Sequence, residues 1–258
     1  MRDYDIFKDQ VYRLTGIDLN SYKETQMKRR IDQLIARHGL NGYDDFVTNL
    51  KSNSTLLKDF LNYLTINVSE FYRNPDQWKI MRSKVIPMLI DTFGQDLKIW
   101  SAACSTGDEP YTLVFVLSDY IPMNRIRITA TDIDDLVLKT AKEGIYSEKS
   151  FPALPKEYKD KYFIKREEKY EVLPEVKRCV DFKQHNLLAD PYPSNLHMIV
   201  CRNVLIYFTE ETKEQIFRKY YNALAPGGIL FLGSTEQMMS YKDVGFERLD
   251  SFFFRKPL

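Results

Sequence analysis

The chain is poor in the residues that staple or metallate small proteins. Its 258 residues include only three cysteines, Cys104, Cys179 and Cys201, and three histidines, His38, His185 and His197. An odd, scattered set of thiols without a Cys-x-x-Cys pair argues against a disulfide framework and fits a reducing compartment. The histidines are equally dispersed, so no metal site is expected. Long apolar runs are also missing. Stretches such as Leu196-His197-Met198-Ile199-Val200 are strand-sized, against the roughly 20 residues a membrane helix needs. The start, Met1-Arg2-Asp3-Tyr4-Asp5, lacks the basic-then-apolar order of a signal peptide, so a cytoplasmic location without membrane insertion is expected. Neither charge dominates: Lys+Arg number 37 and Asp+Glu 36, a net +1. That balance gives no global reason for binding nucleic acid and leaves only local patches to consider.

What is present divides in two. Up to Leu64, apolar residues recur at spacings of three and four, as in Met27, Ile31, Leu34 and Ile35, then Phe46, Val47 and Leu50, then Phe60, Leu61 and Leu64. This is the helical period. Gly16, Gly39 and Asn41-Gly42 punctuate it, with Ser54 or Thr55 as the expected cap of the last helix. A helical domain over 1–64 is therefore expected, followed by an α/β domain over 65–258. There, strand-like runs at 97–100, 126–130, 196–201 and 229–232 alternate with helical runs at 110–120, 134–143 and 210–224. That order implies a parallel sheet with helical crossovers. Between about 158 and 182, three short runs (162–165, 169–173 and 178–182) have tight polar connections and are expected to form an antiparallel insertion. A closing hairpin is expected around Asp250-Ser251.

The first chemical signal is the small-residue turn from Ser101 to Gly107, which leads into Asp108-Glu109-Pro110. Small side chains let a ligand approach the backbone, but an ordinary strand-to-helix turn looks the same. Asp132 stands 25 residues beyond Gly107, at the end of the next strand, where a carboxylate accepts hydrogen bonds from ribose hydroxyls. Asp132 or Asp134 could equally cap the following helix. A dinucleotide needs free N–H groups for its pyrophosphate at the helix start. Asp108 and Glu109 would repel a pyrophosphate yet accept hydrogen bonds from an ammonium group. They point to a nucleoside with a cationic tail, such as S-adenosylmethionine. Ala225-Pro226-Gly227-Gly228 supports this, since Pro-Gly-Gly before that strand is frequent in methyltransferases of this sheet, though it also serves as a helix stop.

Five motifs in order then make the resemblance specific: Thr65-Ile66-Asn67-Val68-Ser69-Glu70-Phe71-Tyr72-Arg73, Cys104-Ser105-Thr106-Gly107-Asp108-Glu109-Pro110-Tyr111, Thr131-Asp132-Ile133, Asn186-Leu187-Leu188, and Cys201-Arg202-Asn203-Val204-Leu205-Ile206-Tyr207-Phe208. Over essentially its whole length the chain resembles the CheR family of chemotaxis receptor glutamate methyltransferases. The resemblance implies an α/β fold: a Rossmann-like class I methyltransferase sheet with a small antiparallel insertion, preceded by a small all-helical domain. It implies transfer of a methyl group from S-adenosylmethionine to receptor glutamates, leaving S-adenosylhomocysteine. Carried over by position, Asn67, Ser69 and Arg73 close over the methionyl part. Glu109 meets the amino-acid end, Asp132 the ribose, and Asn186 and Leu187 the adenine edge. Cys201 and Arg202 line the tail pocket, with Asn203 adjacent. Arg73 and Tyr207 border the methyl group as the catalytic pair; no metal is implied.

The resemblance also implies a partner, the cytoplasmic helical bundle of methyl-accepting chemotaxis receptors, with recruitment to membrane receptor clusters. On a helix over 21–38, Lys23, Arg30 and Arg37 fall within about 40° of one another, and that stretch holds five Lys/Arg against two Asp/Glu. This basic stripe is either a solvated face or, as the family implies, the receptor-docking edge. Some relatives grip a receptor C-terminal peptide with a glycine-rich loop in the insertion. Here 158–182 contains no glycine, so tight binding of such a peptide is not expected. A monomer that does not bind nucleic acid is expected.

Overall fold

The structure is a computed structural model and describes residues 2–65 and 69–258. The chain forms two compact units, Met1–Asn67 with Tyr207–Glu214, and Val68–Ile206 with Gln215–Leu258.

The first unit contains the helices α1 (Arg2–Thr15), α2 (Glu24–Arg37), α3 (Gly42–Ser52) and α4 (Ser54–Leu64). The expected apolar spacings become one core: Phe7, Val11, Ile31, Leu34, Phe46 and Phe60 are all but fully buried. Each such side chain contributes about 1.5–3 kcal/mol of transfer free energy. The cap of α4 is Asn53, one residue before Ser54 and two before Thr55, the expected positions; its side-chain oxygen accepts from the N–H groups of Thr55 and Leu56. Asn is as good a cap as Ser and better than Thr, so the earlier polar residue takes the position. The segment from Tyr207 is bonded into this unit. Lys23 N–H donates to the Tyr207 carbonyl at 2.9 Å, Thr209 N–H to Ser21 at 2.9 Å, and Tyr22 bridges Phe208.

The second unit opens with α5 (Pro75–Ile80) and α6 (Ile86–Phe93), joined by a π turn over Met81–Val85. Pro87 has no N–H to donate, and the ladder widens just ahead of it. There follow β1 (Ile99–Ala102), α7 (Asp108–Leu117), β2 (Ile128–Asp132), α8 (Asp135–Glu143), β3 (Ile145–Ser147), α9 (Lys156–Tyr162), β4 (Phe163–Arg166) and β5 (Lys169–Val172). The chain continues through α10 (Pro174–Lys177), β6 (Val180–Gln184), β7 (Leu196–Cys201), α11 (Glu210–Ala223), β8 (Leu224–Leu232), α12 (Tyr241–Val244), β9 (Glu247–Asp250) and β10 (Phe253–Arg255). Seven strands form one sheet in the order β6-β2-β1-β7-β8-β10-β9, and only β10 runs against its neighbours. β1 is buried along its whole length, as parallel strands covered on both faces must be. The order reverses at β1, whose neighbours are β2 and β7. That is the switch point at whose carboxyl ends open α/β sheets bind ligands.

The antiparallel insertion differs from expectation in its third strand. The small sheet has the order β3-β5-β4, so it spans 145–172. The run at 178–182 instead enters β6, which pairs parallel to β2 from Ile128 opposite Val180 to Asp132 opposite Gln184. Short connections force antiparallel pairing only within one sheet. Here the single turn of α10 carries the chain from the small sheet to the edge of the large one. The true third strand precedes the hairpin, set off from α8 by the left-handed Gly144.

Candidate functional site

Backbone strain marks the carboxyl ends of the strands. Among the described residues seven that are not glycine have positive φ, and five of them (Tyr72, Asn74, Ala103, Ser105 and Asn203) lie in the entry segment or in the turns after β1 and β7. Such conformations cost about 1–3 kcal/mol each and persist where surrounding bonds over-determine them. Those bonds are present. Phe71 N–H donates to Ser150, Tyr72 N–H to the Thr112 hydroxyl, and Trp78 Nε1 to the Arg73 carbonyl at 2.9 Å. At Gly107 (φ 89°) a Cβ would sit 2.9 Å from that of Ala141 and 3.2 Å from the Tyr146 hydroxyl. Only glycine lets this turn lie so close to α8.

The two acidic residues at the start of α7 divide their work. Asp108 is 1% exposed and accepts from the Thr106 hydroxyl at 2.6 Å and from Ser69. It is committed to the fold, so of the pair expected to meet an ammonium only Glu109 remains. The Ser101 hydroxyl donates to Glu109 Oε1 at 2.9 Å, and Arg202 Nη1 lies 3.5 Å from Oε2. Burial pushes the Glu109 carboxyl up to about 7, against the opposing pull of Arg202 and Ser101. Asp132 is not the helix cap; Asp134 is, accepting from Leu136 N–H at 2.9 Å. Asp132 accepts instead from Ser105 N–H at 2.8 Å and Asp134 N–H at 3.0 Å. Burial raises its pKa while those amides oppose the rise. One N–H on each oxygen fixes the carboxylate and leaves further lone pairs for hydroxyls.

Arg202 is the hub. Its Nη2 donates to the Arg73 carbonyl at 2.7 Å, Gln77 Oε1 at 2.8 Å and Asn74 Oδ1 at 3.1 Å. Its guanidinium lies 4.8 Å from the Phe231 ring centre and 5.2 Å from that of Trp78. A residue at the end of β7 thereby holds the entry segment that carries Arg73. Cys201 is fully buried, and burial pushes its thiol well up, so it packs as an inert, small apolar group. The loop after β6 lies beside Asp132, whose carbonyl accepts from His185 N–H at 2.9 Å. The Asn186 side-chain oxygen accepts from Leu188 N–H at 2.9 Å, and Leu187 is buried.

Two placements qualify the expected set. Asn67 lies outside the described residues. Tyr207 belongs to the helical unit, whereas Ser69, Arg73, Glu109, Asp132, Asn186, Leu187, Cys201 and Arg202 belong to the sheet unit. On the basic stripe, Lys23 and Arg37 are exposed. Arg30 donates to the Tyr63 carbonyl at the end of α4 and stacks on that ring at 4.5 Å; Arg37 lies over the same ring at 5.0 Å. A cation there also complements the helix dipole.

Sequence reasoning missed Glu236. It is 4% exposed, and its carboxylate accepts four backbone N–H bonds: from Asn203 and Gly233 on Oε2, both 2.8 Å, and from Val204 and Leu205 on Oε1, at 2.8 and 2.6 Å. One side chain thus ties the loop after β7 to the loop after β8. Its signal in the sequence is faint: a glutamate three residues after Gly233, whose own Cβ would fall 2.8 Å from Asn203 N.

Residues 2–65 match the CheR methyltransferase all-alpha domain, and residues 67–251 match the CheR methyltransferase SAM binding domain. A chemotaxis protein methyltransferase of Listeria innocua serovar 6a is 40% identical over 255 residues, covering 99% of this chain and 97% of its own. Chemotaxis protein methyltransferase 1 of Pseudomonas aeruginosa is 32% identical over 253 residues, covering 93% and 92%. A solved TehB-like SAM-dependent methyltransferase from Corynebacterium glutamicum aligns over 70% of this chain and 92% of its own, at 13% identity and a TM-score of 0.40. The two domain matches span nearly the whole chain in the family order, and the chain belongs to the CheR methyltransferase family of S-adenosylmethionine-dependent enzymes.

Proposed function

We propose that this chain transfers a methyl group from S-adenosylmethionine to glutamate side chains of chemotaxis receptors, forming methyl esters in sensory adaptation. The observation that carries this reading is the buried pairing of Glu109 with Arg202 at 3.5 Å, opposite charges set side by side at the switch point of the sheet. They match the two charged ends of an amino-acid group. The fit is supported by unmet donors: Arg202 Nε and Gln77 Nε2 are buried without a partner among the described residues, a state relieved by a ligand carboxylate. Asp132 would hold the ribose, and Asn186 and Leu187 the adenine. Asn67, Ser69 and Arg73 would cover the methionyl part.

When bound, S-adenosylmethionine supplies an electrophilic sulfonium methyl group. A substrate glutamate, with a reference pKa near 4.3, is already ionised at neutral pH, so the protein need not supply a general base. What remains for the protein is alignment and exclusion of water, effects worth up to roughly 7–11 kcal/mol. Arg73 and the Tyr207 hydroxyl orient the reacting groups without taking a proton. Lys23, Arg30 and Arg37 dock the acidic methylation region of a receptor helix bundle, and tight binding of a receptor C-terminal peptide is not expected.

Incubating the protein with methyl-labelled cofactor and receptor-containing membranes tests the reading. Base-labile label on the receptor is expected. Label that resists base, or that appears only on nucleic acid or small molecules, refutes it. Near-native rates in both Arg73→Ala and Tyr207→Phe at saturating cofactor would remove those two from their roles.

A further inference from the structure

The opposite end of the large sheet carries an unneutralised row of positive charge. A groove of about 480 Å³ runs along the amino-terminal ends of β6, β2, β1 and β7. Its apolar floor includes Leu97, Ile99, Ile128 and Leu196, and Lys98, Arg127 and Arg178 stand on its rim. Each cation immediately precedes or lies within two residues of a strand start. In the β1–β2 register Ile99 is opposite Ile128, so Lys98 and Arg127 stand side by side just ahead of the two strands, and both line the groove. Like charges directly opposite destabilise a sheet. Arg178, the residue that ends α10 two places before β6, lines the same groove.

Among the described residues no carboxylate pairs with Lys98, Arg127 or Arg178. Among the described residues the ion pairs of the neighbourhood go elsewhere: Arg125 to Asp96 at 2.8 Å, and Lys183 to Asp181 at 2.6 Å. Asp181 is the groove's one acidic lining residue, and it is therefore already paired. Arg127 reaches only the carbonyl of its neighbour Ile126, at 2.7 Å. The field is felt locally, with Arg127 and Arg178 both pulling the Cys179 thiol down against the rise that burial imposes. A repulsive row kept without compensation, over a concave apolar floor, is the pattern of a binding surface rather than of a stabilising one.

We propose that this groove binds an acidic segment of a partner protein, with an aliphatic side chain on the floor and flanking carboxylates on Lys98, Arg127 and Arg178. A nucleotide is the weaker fit, because no aromatic residue lines the groove to stack a base. The groove lies at the amino-terminal ends of the strands, whereas Glu109, Asp132 and Arg202 lie at the carboxyl ends, so both ligands can bind together.

The test uses the full chain and a fluorescein-labelled Glu-Asp-Leu-Asp-Glu peptide, read by anisotropy. Saturable binding is expected, weakening as salt is raised and unaffected by saturating S-adenosylhomocysteine. Lys98→Gln, Arg127→Gln and Arg178→Gln combined should weaken it by about tenfold or more while leaving Tm unchanged or higher, because repulsion is relieved. A Gln-Asn-Leu-Asn-Gln control should not bind. The proposal is overturned by absence of peptide binding at low salt, by equal affinity in the triple variant, or by a large fall in Tm in that variant, which would make the cations structural. Competition by ATP or polyphosphate at lower concentration than by unlabelled peptide would also overturn it, reassigning the groove to phosphates.

Discussion

The state of Glu109 makes cofactor binding a proton-linked event. In the free protein, burial holds this carboxyl at about 7, so at neutral pH it is protonated about half the time, and an incoming ammonium favours the ionised form. Affinity should therefore fall about tenfold for each pH unit below that value. On the alkaline side the ligand's α-ammonium keeps its proton well past neutrality, because its own ionised carboxylate stabilises the charge. Affinity should rise through about pH 7 and level off above it. Calorimetric titration with S-adenosylhomocysteine, in buffers of different ionisation enthalpy, reads both the Kd and the protons exchanged. At about pH 6 one proton should leave the protein on binding.

A second arm follows without ligand. The folded value lies above the ordinary 4.5, so the stabilisation associated with the protonated form is complete below 4.5 and is lost as pH rises toward 7. The loss approaches about 3 kcal/mol. Glu109→Gln, which cannot ionise, should match the parent's thermal stability at about pH 4 and exceed it by several degrees at about pH 8. A Kd that is flat from about pH 5.5 to 7.5, or one that falls with the same slope in Glu109→Gln, would refute the reasoning.

Glu236→Gln leaves one oxygen to serve four N–H groups; it should cost about 2–4 kcal/mol of stability and speed amide exchange at Asn203, Val204 and Leu205 specifically, and uniform exchange would count against the clamp. Arg202→Met keeps much of the volume over Trp78 and Phe231 but removes the donors to Arg73, Asn74 and Gln77; cofactor affinity should fall about tenfold to a hundredfold, and an unchanged Kd would remove Arg202 from the tail pocket. Arg30→Ala should lower the Tm of the helical unit because the Tyr63 carbonyl at the end of α4 loses its donor, whereas Arg37→Ala should leave Tm nearly unchanged; both should weaken receptor methylation more than cofactor binding, with pull-down at low salt as the check.

How much of this was legible in the residues varies from place to place. Helical period gave the first unit, and strand-helix alternation gave the parallel sheet, because burial enforces both patterns locally. The caps were less legible: Asn53, Ser54 and Thr55 are all competent, and only backbone direction selects among them. Strand membership at 178–182 was out of reach, since a run of alternating residues records that it pairs but not with which sheet. At the site, Asp132 and Glu109 stood out through their spacing from a small-residue turn. Asp108 carried the same signal and proved to be turned inward, toward Ser69 and Thr106. Glu236 gave almost none, because its partners are backbone amides, which every residue has.

The three-stranded make-up of the small sheet bears on how this family's modules can be recombined. An isolated two-stranded hairpin is marginally stable in water, and β3 supplies the second edge of β5 through Ile145 opposite Glu171, Tyr146 opposite Tyr170 and Ser147 opposite Lys169. A transplant cut at the hairpin alone, 163–172, would leave behind the strand that holds it. The transferable cassette begins at Gly144, directly after α8, so exchanging the small sheet between relatives means exchanging the chain from the end of that helix onward.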